Sequence, residues 1–139
     1  MKSKLNHVGL VTNDRERFED FWCKGLGFEK VWEASIMPEK IKILFGIDGG
    51  ATAIRYQKDE DVIEIHLFNK PVYGITQDFR KFGINHISLL VEDRDEFIKD
   101  LSSRVQYLEI RRFHDPSGWD NIFIRDYDGN WIELREDFT

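Results

Sequence analysis

Leu5-Asn6-His7-Val8-Gly9-Leu10-Val11, followed by Asp14-Arg15-Glu16-Arg17-Phe18, returns later as Ile84-Asn85-His86-Ile87-Ser88-Leu89-Leu90, followed by Asp93-Arg94-Asp95-Glu96-Phe97. The offset is constant along the stretch: His7 maps to His86 and Phe18 to Phe97. A second pair, Val62-Ile63-Glu64-Ile65 and Trp131-Ile132-Glu133-Leu134, repeats at a slightly shorter offset, with Glu64 mapping to Glu133. Each half of the chain therefore carries one strand-borne His and one strand-borne Glu. Side chains alternate across a strand, so His7 shares a face with Leu5 and Gly9, and His86 with Ile84 and Ser88. Glu64 shares its face with Val62 and His66, Glu133 with Trp131 and Arg135. The small Gly9 and Ser88 leave room beside the imidazoles. A carboxylate set in mid-strand among isoleucines faces either water or something that needs a carboxylate. Two imidazoles and two carboxylates suit a divalent metal such as Zn, Ni, Co, Mn or Fe(II). Taken singly, each of the four positions is more often structural than a ligand, and repeat ancestry alone can match letters.

Around these motifs, residues 5–12 read as a strand. Thr12, Asn13 and Asp14 offer N-cap chemistry, and Phe18, Phe21, Trp22 and Leu26 form one apolar helical face that ends at Gly25 and Gly27. Strand patterns follow at Phe28–Ala34, Ile41–Ile47, Ala51–Gln57 and Val62–Phe68, broken by turns at Asp48-Gly49-Gly50 and Lys58–Asp61. Asn69–Phe82, with Pro71 and Gly74, reads as a connector with a short helix near Gln77–Phe82. The second half repeats the order: strand Ile84–Val91, helix Arg94–Leu101, strand Val105–Phe113, loop His114–Gly118, then strands Asn121–Asp126 and Asn130–Glu136. Tyr127-Asp128-Gly129-Asn130 joins the last two and predicts a type I′ hairpin turn. Each half is strand–helix–strand–strand–strand. Such a half leaves one apolar sheet face bare, and pairing two of them buries both faces and makes a cleft.

At 139 residues the chain fits one domain built of two small modules. Its 41% hydrophobic and 14% aromatic content supports a packed core and argues against disorder. A net charge of −6, with no basic cluster beyond Arg111-Arg112, disfavours nucleic acid as a partner. The single Cys23 fits a reducing cytoplasm, and no apolar run is long enough for a signal peptide or a membrane span.

The anchors Asn6-His7-Val8-Gly9-Leu10, Phe21-Trp22-Cys23-Lys24-Gly25-Leu26-Gly27-Phe28, Gly83-Ile84-Asn85-His86-Ile87 and Asp126-Tyr127-Asp128-Gly129-Asn130-Trp131-Ile132-Glu133-Leu134 resemble the vicinal-oxygen-chelate superfamily. That superfamily includes glyoxalase I, methylmalonyl-CoA epimerase, extradiol dioxygenases, fosfomycin-modifying enzymes and bleomycin-resistance proteins. The resemblance spans almost the whole chain. It implies an α+β fold of two tandem βαβββ modules forming a curved mixed sheet around a metal-binding cleft, with module one at about 1–70, a connector at about 71–82 and module two at about 83–139. It implies His7, Glu64, His86 and Glu133 as metal ligands, a set most similar to bacterial-type glyoxalase I. The activity implied is Lewis-acid-assisted proton transfer, isomerase or lyase, on a small oxygenated carbonyl substrate. Glu133 is the first choice as catalytic base and Glu64 the second. Two positions depart from glyoxalase I. Val11 stands where that enzyme has an Arg that helps hold glutathione, and an asparagine appears only at Asn69, one place late. The resemblance therefore implies a glyoxalase-like metal site without implying glutathione.

Two alternatives accompany that expectation. An Fe(II) extradiol-type dioxygenase would use a His7, His86 and Glu133 triad, and a non-catalytic binding or resistance protein would use no metal. Other residues have smaller claims. His66 is an alternative ligand or a partner of Glu64, with surface exposure as the plain alternative. His114 and Trp119 sit in a loop, and Trp22 and Trp32 read as core. Arg55, Arg125, Arg135 and Tyr56 are candidates to face the cleft and hold an anionic group, against the plainer expectation of solvated strand faces, favoured for Arg125. Cys23 is expected to be inert. A homodimer is the expected assembly.

Overall fold

The computed structural model describes residues 1–72, 82–118 and 120–136. The helix expected over Gln77–Phe82 falls, but for Phe82, outside these residues, as does Trp119. The elements run β1 (Val8–Val11), α1 (Arg15–Glu19) with a π-helical continuation over Asp20–Gly25, β2 (Glu29–Ile36), α2 (Pro38–Phe45), β3 (Ala51–Lys58), β4 (Asp61–Phe68), β5 (Ile87–Leu90), α3 (Arg94–Arg104), β6 (Glu109–His114), β7 (Asp120–Arg125) and β8 (Trp131–Arg135). The strands form two open, four-stranded mixed sheets of the same order, β1-β4-β3-β2 and β5-β8-β7-β6. In each, the first strand runs parallel to the last and the other pairs are antiparallel. This is the expected α+β arrangement of two tandem βαβββ modules. Among the described residues no helix is long and apolar enough to cross a membrane.

The chain divides into two compact units. One gathers Met1–Glu16 and the chain from Gly27 to the connector; the other gathers Arg17–Leu26 and the chain after the connector. In the first unit, Ile54 stands opposite Ile65 and Tyr56 opposite Ile63. These four line one face and are buried, each removing apolar surface from water. Arg55, Glu64 and His66 project from the other face, since neighbours along a strand alternate. Tyr56, expected as a site candidate beside Arg55, is therefore a core residue with no exposure. Adjacent strand residues cannot share a face.

The expected strand over Ile41–Ile47 is instead the helix α2. Pro38 supplies the fixed φ of a first helical turn, after an extended Met37. Gly46 ends the helix in the left-handed conformation (φ 69°), its N–H donating to the Lys42 carbonyl. Ile41 alone is buried, whereas Ile43, Leu44 and Phe45 are exposed. The alternating letters that suggested a strand carried no packing information. Trp32, expected in the core, lies 46% exposed on β2. It stands opposite Arg55, on the polar face of its sheet.

In the second unit, Ile122, Ile124, Ile132 and Leu134 are buried along one face of the sheet, with Ile122 opposite Leu134 and Ile124 opposite Ile132. Phe18, Phe21, Trp22 and Leu26 are all buried, as their helical spacing predicted. Gly25 closes the π-helical turn where backbone and side chains crowd together. A Cβ there would lie 2.8 Å from Val105 Cγ1 and 3.0 Å from Leu101 Cδ1. The Arg104 guanidinium satisfies the Gly25 carbonyl, donating from Nε at 3.0 Å and Nη2 at 2.7 Å.

The β7–β8 turn differs from the expected type I′ form. Gly129 takes positive φ (90°), whereas Asp128 does not, and type I′ needs both central residues there. The turn is held by Asp126. Its buried carboxylate accepts from the N–H groups of Asp128 (3.0 Å) and Asn130 (2.7 Å), from Asn130 Nδ2 (2.8 Å) and from Trp22 Nε1 (3.0 Å). Burial pushes the Asp126 carboxyl above the usual range, while these donors pull it back.

Candidate metal centre

His7 and His86 both sit one residue before their strands begin, at Val8 and Ile87, rather than within them. That position matters locally. In an extended strand, neighbouring side chains point to opposite faces. Here Asn6 Oδ1 lies 2.6 Å from His7 Nδ1, and Asn85 Oδ1 lies 2.7 Å from His86 Nδ1. The repeated Asn-His pair of the sequence is thus a repeated hydrogen bond.

In the second unit, His86 Nε2 lies 3.2 Å from Glu133 Oε2. Glu133 is held mid-strand on β8, opposite Phe123 on β7 and Ser88 on β5. Phe123 meets the His86 ring edge-on at 5.0 Å between centroids, and Arg135 Nη1 is 3.7 Å from Glu133 Oε1. On the same face, Arg111 and Arg125 lie over the Trp131 ring at 4.6 and 4.8 Å. Arg125 also pairs with Glu109 at 3.2 Å and is 19% exposed. The solvated face expected for Arg125 is replaced by a packed one, because the register sets it directly opposite Trp131.

In the first unit the equivalent pair is looser. His7 Nε2 is 3.9 Å from Glu64 Oε2. Glu64 is buried and engaged elsewhere. Its Oε2 accepts from Arg55 Nε at 2.6 Å, and its Oε1 lies 3.4 Å from His66 Nε2. Arg55 stands opposite Glu64 in the β3–β4 register, with its guanidinium over the Trp32 ring at 5.3 Å. His66 is only 15% exposed, with Phe45 and Phe68 rings 5.2 and 6.1 Å from its own. The surface reading of His66 does not hold. Gly9, opposite Glu64, has open space where a Cβ would be, as its small size suggested. Val11 is exposed and pairs with His66. Outside these pairs, His114 ends β6, exposed and 2.7 Å from Asp120.

Two ligands bound at about 2.1 Å with an angle between tetrahedral and right lie roughly 3.0–3.4 Å apart. The 3.2 Å separation of His86 and Glu133 matches that bite; the 3.9 Å of His7 and Glu64 exceeds it. The donor chemistry of both pairs, imidazole nitrogen beside carboxylate, fits a borderline divalent metal. Among the described residues, no group of three or more His, Cys, Asp or Glu side chains stands in place to hold one. Sequence reasoning reached the His and Glu positions but not Asn6, Asn85 or Phe123. The repeated asparagine was a visible signal, whereas the Phe123 contact depends on register.

Comparison with known proteins agrees with the fold. Among curated proteins none matches the sequence. Solved structures do. A glyoxalase family protein from Bacillus cereus has a TM-score of 0.76 at 19% identity, covering 99% of this chain and 98% of that one. The trypanothione-dependent glyoxalase I of Leishmania major has a TM-score of 0.63 at 24% identity, covering 97% and 87%. A mutant of the fosfomycin resistance protein FosX from Listeria monocytogenes, complexed with Mn(II) and 1S,2S-dihydroxypropylphosphonic acid, has a TM-score of 0.66 at 16% identity, covering 100% and 96%. At such identities the likeness is one of fold. Residues 4–134 match the family model of the Glyoxalase/Bleomycin resistance protein/Dioxygenase superfamily, and the chain belongs to that superfamily.

Proposed function

We propose that the protein is a metal-dependent enzyme of the glyoxalase-like class, catalysing proton transfer as an isomerase or lyase on a small oxygenated carbonyl substrate. His7, Glu64, His86 and Glu133 are the proposed ligands. The observation that carries the proposal is the His86–Glu133 pair, whose 3.2 Å spacing suits two donors to one ion. When bound, a divalent metal would supply Lewis-acid polarisation of adjacent substrate oxygens. Glu133 is the proposed base. One oxygen of its carboxylate stands 3.2 Å from His86 Nε2, and the other pairs with Arg135 only at 3.7 Å. Glu64, occupied by Arg55, is the second choice. The half-buried single cysteine and the two-fold assemblies common among small enzymes support a cytoplasmic homodimer.

One observation favours a second proposal. Arg55 holds Glu64 at 2.6 Å, which suits an Fe(II) oxygenase using His7, His86 and Glu133 alone. Metal analysis of the purified protein, followed by zinc and Fe(II) titration by calorimetry, tests the metal site. Oxygen-independent turnover of a hemithioacetal supports the first proposal, and oxygen-dependent catechol ring cleavage supports the second. A protein that neither retains nor takes up metal sinks both and leaves a binding or resistance protein.

A further inference from the structure

The geometry assigns Asn6 a positioning role: it locks His7 with its proton on Nδ1, so that Nε2 presents a lone pair. A carbonyl oxygen can only accept a hydrogen bond. Asn6 Oδ1, 2.6 Å from His7 Nδ1, therefore takes its hydrogen bond from an Nδ1–H. In neutral imidazole the other nitrogen is then the acceptor. That nitrogen, Nε2, faces Glu64 from 3.9 Å, beyond hydrogen-bond range; His86 Nε2 instead lies 3.2 Å from the Glu133 carboxylate, so Asn85 and Glu133 compete there for one imidazole proton.

The placement of the pair is what allows this. Both asparagines and both histidines precede the first strand residue, outside the ladder that imposes alternation, so adjacent side chains can meet. Within the strand, alternation would separate them. The same device occurs once in each half of the sequence repeat, with nearly equal oxygen–nitrogen distances. A free histidine side chain prefers the proton on Nε2, the nitrogen that would have to be open for a metal. Asn6 reverses that preference at His7 before any ion arrives and fixes the ring plane.

This inference rests on the proposed metal site, but its first readout does not need metal. Nitrogen-15 histidine spectra of the whole, metal-free protein, taken above the pH at which imidazole is protonated, report the tautomer. His7 is the cleaner reporter, since its Nε2 is 3.9 Å from Glu64 and outside hydrogen-bond range. The wild type should show Nδ1–H. Asn6→Leu should shift His7 toward Nε2–H, and Asn6→Asp, which keeps the acceptor, should restore Nδ1–H. Zinc affinity should fall about 10–100-fold in Asn6→Leu and recover in Asn6→Asp. Circular dichroism checks that each variant folds. An Nε2–H tautomer at His7 in the wild type overturns the inference, as does an Asn6→Leu variant with unchanged tautomer and zinc affinity. Wild-type protein with Nδ1–H that binds no zinc overturns the metal site instead and leaves the asparagine lock standing.

Discussion

Replacing Arg55 by Met should weaken the metal-free protein and tighten metal binding at once. Met keeps most of the apolar stem that packs near Trp32 and removes the guanidinium. The Glu64 carboxylate is buried and accepts from Arg55 Nε at 2.6 Å. With charge centres about 4 Å apart and an effective dielectric near 20, such a pair is worth about 4 kcal/mol. The Arg55 side chain is 41% exposed, so solvent screening lowers this to about 1–2 kcal/mol. Arg55→Met should therefore lose about 1–2 kcal/mol in a urea titration of the metal-free protein. The freed carboxylate then becomes available to an ion, and zinc should bind about tenfold more tightly by calorimetry, a gain of about 1.4 kcal/mol. Unchanged stability together with weaker zinc binding would refute the idea that Arg55 withholds Glu64. Lost stability together with weaker zinc binding would instead mean that Arg55 orients Glu64 as a ligand.

Asp126→Ala should destabilise the protein by about 3 kcal/mol in urea, because four N–H donors lose a buried acceptor and only some can reach water. The Arg112 guanidinium holds the Asp120 carboxyl below its ordinary range. A lowered folded pKa adds stability above the unfolded value, about 3.9, that is lost as pH falls through the folded one. Thermal melts of Arg112→Gln should accordingly show a shallower acid limb than wild type, and an identical limb would contradict this. Burial, with Glu19 adding repulsion, pushes the Cys23 thiol up to about 11. Iodoacetamide at neutral pH should leave native Cys23 unmodified and label it in denaturant, as followed by mass spectrometry.

The parts of the fold legible in the sequence were those set by local pattern. The doubled Asn-His motif, the mid-strand glutamates and the apolar face of Phe18, Phe21, Trp22 and Leu26 each follow from chemistry and spacing within a few residues. They led to two modules of the same strand order and to one His–Glu pair per module. Patterns without packing information misled. Ile41–Ile47 alternates like a strand, yet Pro38 and Gly46 bracket a helix, and Trp32 looks like core until its register sets it on the polar face beside Arg55.

Residue type and strand period are local properties, so the donors each module carries follow from the chain's letters. The difference between the two donor pairs comes from long-range packing. Cross-strand register puts Arg55 beside Glu64 and Phe123 beside Glu133. Arg55 binds one carboxylate at 2.6 Å, whereas the other has its histidine at 3.2 Å and Arg135 only at 3.7 Å. Register is set by hairpins and by which face is buried, so two glutamates that look equivalent in the repeat hold different charge environments in the fold.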